Sequence, residues 1–195
     1  MDLREKVERA RRERDLLRQR KKLKENNGIA FYKPHERQEL FHSYGDRKMR
    51  YVRSGNRFGK STCGVAEDIA WCLGYRPWIK EGDPKRDLGI PKRPVKGLVV
   101  CFDWDKSTEI FTSQEAGSSR GKLFEMLPKD RLVGKPRRNH SGAIECVRIK
   151  GLYGVSSLHF DTVKAYMQNP MGAESSDWDF VHVDEPCPED MYKAI

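Results

Sequence analysis

An α/β fold, with a mostly parallel central sheet flanked by helices, is predicted by three features of the chain. A short run, Met49-Arg50-Tyr51-Val52-Arg53, leads into a glycine-bearing loop from Ser54 to Ser61. The loop leads into a stretch in which Val65, Ala66, Ile69, Ala70 and Leu73 recur at the three- and four-residue spacing of an amphipathic helix. Gly97–Phe102 is an apolar run of strand length that reads as a buried strand, and Trp178–Val183 reads as the last strand.

The elements follow in order. Residues 2–25 carry eleven Lys/Arg against six Asp/Glu and are expected to form one helix, ended by Asn26-Asn27-Gly28. Leu3, Val7, Ala10, Leu17 and Leu23 give it only a thin apolar stripe. A solvated appendage, a partner for another helix and a DNA contact are all open readings of it. The chain divides into this basic appendage, 1–28, and one domain, 29–195. Pro34 is placed to start a helix carrying Gln38, Leu40 and Phe41. Residues 74–96 hold four prolines and three glycines and read as a long loop. A helix is expected from Asp105, restarting near Gly121–Leu127, and a basic loop over 128–142. Ile144–Lys150 and Val155–Asp161 read as a hairpin turned by Gly151-Leu152-Tyr153-Gly154. Tyr166–Asp177 is expected to be irregular or partly helical. Pro186-Cys187-Pro188 stops the last strand, and Glu189 begins a final helix.

Composition narrows the class. A length of 195 residues suits one domain with a core able to fold alone. Mean hydropathy is −0.81, and no run approaches the ~20 apolar residues of a membrane span. The charged N-terminus lacks the apolar core of a secretory signal. Five cysteines, at 63, 72, 101, 146 and 187, are scattered without a C-x-x-C pair. They read as reduced, cytosolic thiols and not as a disulfide framework or zinc site. A net charge of +9 and a pI near 9.3 favour a polyanionic partner, with nucleic acid first.

The chemistry is concentrated in two places. Gly59-Lys60-Ser61 end the phosphate-loop pattern G-x-x-x-x-G-K-[S/T], with Ser54 at the first glycine and Gly55 after it. Ser54, Gly55, Asn56, Arg57, Phe58, Gly59, Lys60, Ser61 and Thr62 are therefore the candidate nucleotide cradle. Main-chain N–H groups wrap phosphate at the positive end of the following helix. Lys60 neutralises the β/γ oxygens, and the Ser61 hydroxyl is a Mg²⁺ ligand. Far downstream, Val181-His182-Val183 runs into Asp184-Glu185. Asp184 is the candidate for the Mg²⁺ shell, and Glu185 the general base for the attacking water. Arg57 is read either as a group stabilising or sensing γ-phosphate charge or as one half of a structural ion pair. Arg53 is a weaker candidate of the same kind, and a trans-acting arginine is expected from 128–142. The bland alternatives are a glycine turn and a solvated acidic turn. The two motifs together favour an ATP-hydrolysing site.

On these motifs the chain resembles the ATPase domain of the large terminase subunit, the motor that packages DNA into tailed-phage capsids. Gly55-Asn56-Arg57-Phe58-Gly59-Lys60-Ser61 is similar to the terminase form of the loop, which tolerates a small residue where Ser54 stands. Phe180–Pro186 is similar to the terminase acidic strand, and 168–179 to the segment before it. Tyr32–Gln38 resembles the adenine-reading segment, which would make Gln38 its glutamine. The resemblance covers 31 to about 190. It implies a P-loop NTPase using ATP and Mg²⁺ to translocate double-stranded DNA, working as a homo-oligomeric ring. The implied partners are a capsid portal and a small terminase subunit, the implied place the host cytoplasm at the procapsid, and no membrane is involved. It also implies a coupling motif and a C-terminal nuclease domain beyond residue 195, so the chain is expected to be an N-terminal fragment. Two other classes stay open: a helicase or other nucleic-acid-remodelling ATPase, and a non-catalytic DNA-binding assembly module with a vestigial nucleotide site.

Overall fold

The computed structural model describes residues 3–55, 57–113, 121–169, 177–185 and 188–194. Seven helices and five strands run along them: α1 (Leu3–Asn26), α2 (Glu36–Ser43), α3 (Lys60–Leu73), β1 (Lys96–Cys101), α4 (Trp104–Ser107), α5 (Lys122–Met126), β2 (Arg137–Arg138), β3 (Ile144–Gly151), β4 (Gly154–Thr162), α6 (Val163–Gln168), β5 (Phe180–Val183) and α7 (Glu189–Ala194). The strands form one sheet in the order β2-β3-β4-β1-β5. The sheet is mixed, not mostly parallel as expected. β1 pairs parallel with β4 and β5, whereas β2–β3 and β3–β4 are antiparallel. The reason is local. The two-residue turn Leu152-Tyr153 forces β3 and β4 to run in opposite directions, and β2 continues that meander. The parallel part is confined to the three strands β4, β1 and β5.

The run at 49–53 is a second correction. It has no regular secondary structure and joins no strand, and Tyr51 is 82% exposed. A strand is held by its ladder and its packed face, and here Arg50 anchors the segment elsewhere. Its guanidinium donates to Glu67 on α3 at 3.0 Å and lies 4.4 Å over the Phe41 ring on α2. The acidic strand β5 is consequently an edge, paired with β1 alone among the described residues. Other differences are small. α6 begins at Val163, earlier than expected, α4 runs into a wide π turn at Thr108–Thr112, and β2 is an unforeseen strand. Pro186, Cys187 and 170–176 lie outside the described residues.

α3 sits on one face of the sheet, and its alternate faces decide what it holds. Val65, Ala66, Ile69, Cys72 and Leu73 pack against Val99, Cys101, Val147, Ile149, Leu158 and Phe160 of the strands. The opposite face of β1, Leu98 and Val100, packs with Val163, Tyr166 and Met191 of α6 and α7. The pleat thus sorts neighbouring residues of one strand into two cores. The far end of α3 is tied down by the hairpin. The Ser156 hydroxyl donates to the Cys72 carbonyl at 3.1 Å, and the Leu152 N–H to the Leu73 carbonyl at 2.9 Å. The described cysteines, 63, 72, 101 and 146, are buried and unpaired by disulfides. Among the described residues no helix is long and apolar enough to cross a membrane.

The outer side of α3 is held by charge. Glu67, almost fully buried, accepts from His42 Nδ1 at 2.7 Å, from Arg76 Nε at 2.7 Å and Nη2 at 3.0 Å, and from Arg50. Arg76 is itself wholly buried and donates onward to the Lys85 and Leu88 carbonyls at 3.0 Å. His42 Nε2 meets the Tyr32 hydroxyl at 3.0 Å. Burial raises the proton affinity of the Glu67 carboxyl, but the hydrogen bonds from His42 and Arg76 and the guanidinium charges outweigh it. They hold the group well below the usual carboxylate range. Removing one partner leaves a buried charge uncompensated, so Arg76→Ala is expected to lower stability by about 3–5 kcal/mol in urea melts. The acid limb has a defined sign. Glu67 stabilises fully above its unfolded pKa of about 4.3, and that stability is lost as pH falls through the depressed folded value. Glu67→Gln is expected to flatten the loss of stability below about pH 4; an unchanged acid limb would exclude the network as its source.

Candidate functional site

The site lies where α3 begins and β5 ends. Both are carried there by the sheet, since β1 and β5 are parallel and their C-terminal ends face the N-terminus of α3. The Asp184 N–H continues the ladder to the Val100 carbonyl at 3.1 Å. Its carboxylate turns toward α3 and accepts from the Ser61 hydroxyl at 2.9 Å. Residues 123 apart in the chain are thereby in direct contact. Glu185, next along, is half-buried and accepts no hydrogen bond among the described residues.

The loop itself is shaped by two left-handed residues. Gly59 has φ 82° and sits as the N-cap of α3, where it needs no Cβ. Arg57 has φ 62°, a conformation that strains a side-chain-bearing residue by about 1 kcal/mol or more, and its side chain is exposed. Lys60 Nζ folds back over the loop and donates to the Ser54 carbonyl at 3.1 Å and the Gly55 carbonyl at 3.2 Å. No carboxylate of the described residues pairs with it. The Ser54 hydroxyl is buried without a hydrogen-bond partner among the described residues. The loop therefore holds an unneutralised cation and an unspent hydroxyl. Thr62 is half-buried in the first turn of α3. Asn56 lies outside the described residues.

α2 braces the loop from outside. Gln38 is buried, and its amide nitrogen donates to the Gly59 carbonyl at 3.2 Å while its carbonyl accepts from the His35 N–H at 3.2 Å. His35 Nε2 donates to the Phe58 carbonyl at 3.3 Å, and the two rings meet edge to face at 4.5 Å. The structure thus brings Gln38 to the loop, with its amide engaged by the protein's own backbone. His35 was not foreseen.

A second unforeseen pair lies behind Asp184. His182 shares its strand face and donates from Nδ1 to the buried Asp68 of α3 at 2.8 Å, with Nε2 3.9 Å from Asp184. Burial opposes a charged His182, but the Asp68 carboxylate and its hydrogen bond outweigh that and raise its pKa above the ordinary value. Asp68 is raised too, by burial first. The ring fits because residue 64 is glycine. A Cβ there would land on the His182 imidazole. The signal was present: period two puts 182 and 184 on one face of a strand, and an acid at 68 inside an apolar helix needs a partner. Cys63 and Cys101 are both pushed up to about 12 by burial, which keeps them as thiols.

The donor set suits a small hard cation. One hydroxyl and one carboxylate are oxygen ligands, and Mg²⁺ typically takes one or two such groups and fills its shell with waters and substrate phosphates. Among the described residues no three His, Cys, Asp or Glu side chains converge, so Ser61 and Asp184 offer two of the six positions of an octahedral shell.

No protein-family model matches the chain, and neither a curated protein nor a solved structure is significantly similar to it. The site's geometry has to carry the functional reading.

Gly64→Ala is expected to displace His182 and to destabilise the fold by about 1–3 kcal/mol in chemical denaturation, as overpacking does. The double variant Gly64→Ala/His182→Ala should recover part of that loss. Full tolerance of the single variant would show that the ring is not confined there.

Proposed function

We propose that this is a P-loop ATPase of the DNA-packaging motor type. The observation that supports it most is the Ser61–Asp184 hydrogen bond, which joins the phosphate loop to the acidic strand at one point. A glycine turn and a solvated acidic turn have no reason to meet. The uncompensated Lys60 ammonium beside them adds an anion-binding element that its carbonyl partners do not neutralise.

In this reading the Lys60 ammonium leaves the Ser54 and Gly55 carbonyls and lies against the β/γ-phosphate oxygens of ATP. The α3 N-terminus contributes its unsatisfied N–H groups. Ser61 and Asp184 would hold Mg²⁺, which when bound offsets the charge of the β- and γ-phosphates. Glu185 takes a proton from a water as that water's oxygen bonds to the γ-phosphorus, while the bond from phosphorus to the bridging oxygen breaks. Arg57, in the loop, meets charge on the γ-phosphate, and Gln38 and His35 hold the Gly59 and Phe58 carbonyls by hydrogen bonds. The large-terminase resemblance and the basic charge supply the rest of the proposal. The load is double-stranded DNA, and the setting is a ring on a capsid portal with a small subunit.

The test is Mg²⁺–ATP binding to the chain, followed by thermal shift or a fluorescent analogue. Lys60→Ala is expected to weaken binding by at least about tenfold, or about 1.4 kcal/mol. Glu185→Ala should keep binding and lose turnover. A folded wild type that binds no nucleotide, or a Lys60→Ala protein that binds equally well, would reject the ATPase reading. Turnover retained by Glu185→Ala would reject only that residue's role as base.

A further inference from the structure

The positive charge of the chain is sharply partitioned. α1 carries eleven Lys/Arg against five Asp/Glu, and residues 128–150 carry seven against two. All other residues together carry twenty against twenty-two. Two segments thus hold +11, more than the whole net charge of +9, and the remainder, including the proposed nucleotide site, is slightly acidic. Both segments are on the surface. Every residue from Glu5 to Asn26 is exposed, as are Lys129, Lys135, Arg137, Arg138, Arg148 and Lys150. The C-terminal root of α1 lies near the start of the second segment, because the 3₁₀ turn Gly28–Phe31 that follows α1 packs against α5, and Lys129 follows three residues after α5 ends.

Internal ion pairs neutralise little of this. Arg12–Glu8, Arg18–Asp15, Arg131–Asp130 and Arg137–Glu145 lie at 3.7, 3.9, 3.6 and 3.2 Å, each with at least one largely exposed side chain, and such pairs are weak. Charged residues on an edge strand guard against edge-to-edge pairing, which accounts for Arg137 and Arg138. It does not account for eleven cations on a helix.

We propose that α1 and the β2–β3 edge form one surface that grips the phosphate backbone of double-stranded DNA without reading its sequence. Two observations select duplex over single strands. Neither segment contains Phe, Tyr or Trp, so neither offers the stacking platforms that hold unstacked bases. α1 is also about 36 Å long at 1.5 Å per residue, close to one turn of B-DNA. This deepens the motor reading, on which its meaning rests, by stating where the DNA lies. The grip itself needs no nucleotide.

The test is fluorescence anisotropy with a labelled duplex of arbitrary sequence, about 20 base pairs long, without nucleotide and over about 50–200 mM salt. The wild type is expected to bind with a steep salt dependence. Arg14→Glu/Arg18→Glu/Lys21→Glu on α1 and Arg148→Glu/Lys150→Glu on β3 should each weaken binding by at least about tenfold. The log–log salt slope should become shallower by about 0.9 for every phosphate that the variant leaves unneutralised. Lys80→Glu/Lys92→Glu, which changes charge outside both segments, should weaken binding less than about twofold. An equal loss in that control, tighter binding to a single strand of the same length, or no duplex binding by the folded wild type would each overturn the proposal. Nucleotide binding, measured in parallel, separates the two readings. If it fails while duplex binding follows this pattern, the ATPase reading falls and the surface stands.

Discussion

Three pieces of chain around the Ser54–Ser61 loop are anchored through one buried carboxylate, Glu67. It accepts from α2 through His42, from the segment before the loop through Arg50, and from the long 74–96 loop through Arg76. Each of these pieces lacks a sheet or a long helix to hold it. The proline-rich loop has no regular structure of its own, yet its carbonyls at 85 and 88 are satisfied by the Arg76 guanidinium. A charge this deep is tolerable only because hydrogen bonds and opposite charges surround it.

The next residue, Asp68, performs the matching task on the other side of α3. Adjacent positions on a helix point about a quarter-turn apart, so Glu67 faces the loops and Asp68 faces β5 through His182. α3 is therefore fixed in rotation by two polar clamps as well as by its apolar face. That matters for Ser61, two turns upstream, whose hydroxyl has to meet Asp184 within hydrogen-bond reach. The same device explains why a glycine is tolerated inside the helix at 64, despite its cost to helix stability. The space goes to the imidazole.

Much of this is legible from the residues alone. The helical spacing after Lys60, the apolar runs of β1 and β5 and the Gly-x-x-Gly turn between β3 and β4 all lead to the elements observed. The motif pattern groups Ser54 to Thr62 and Asp184-Glu185 as one site, and the structure sets Ser61 against Asp184. What is not legible is anything decided by a distant partner. The 49–53 run has strand composition, but composition does not reveal whether a ladder is available, and Arg50 finds Glu67 instead. The sheet departs from the expected mostly parallel form because the hairpin, itself legible, joins the same sheet as the parallel strands and brings the unforeseen β2 with it. His35 and Gln38 give no local sign that their polar atoms are spent on the carbonyls of residues 58 and 59.

The uneven placement of charge has a kinetic consequence. A molecule with one strongly positive flank and a faintly negative body turns in the field of any large polyanion before it touches it. Encounter is then not random in orientation. The polyanion is drawn to the α1 side and kept off the end of the sheet where Asp184 and Glu185 stand. A small triphosphate, the ligand proposed for the α3 end, would feel little of that long-range pull beyond a screening length of roughly 8–10 Å, and its capture would depend on the local field of Lys60 and the α3 terminus. Two anionic ligands would thus approach the same small domain along separate routes, sorted by their size.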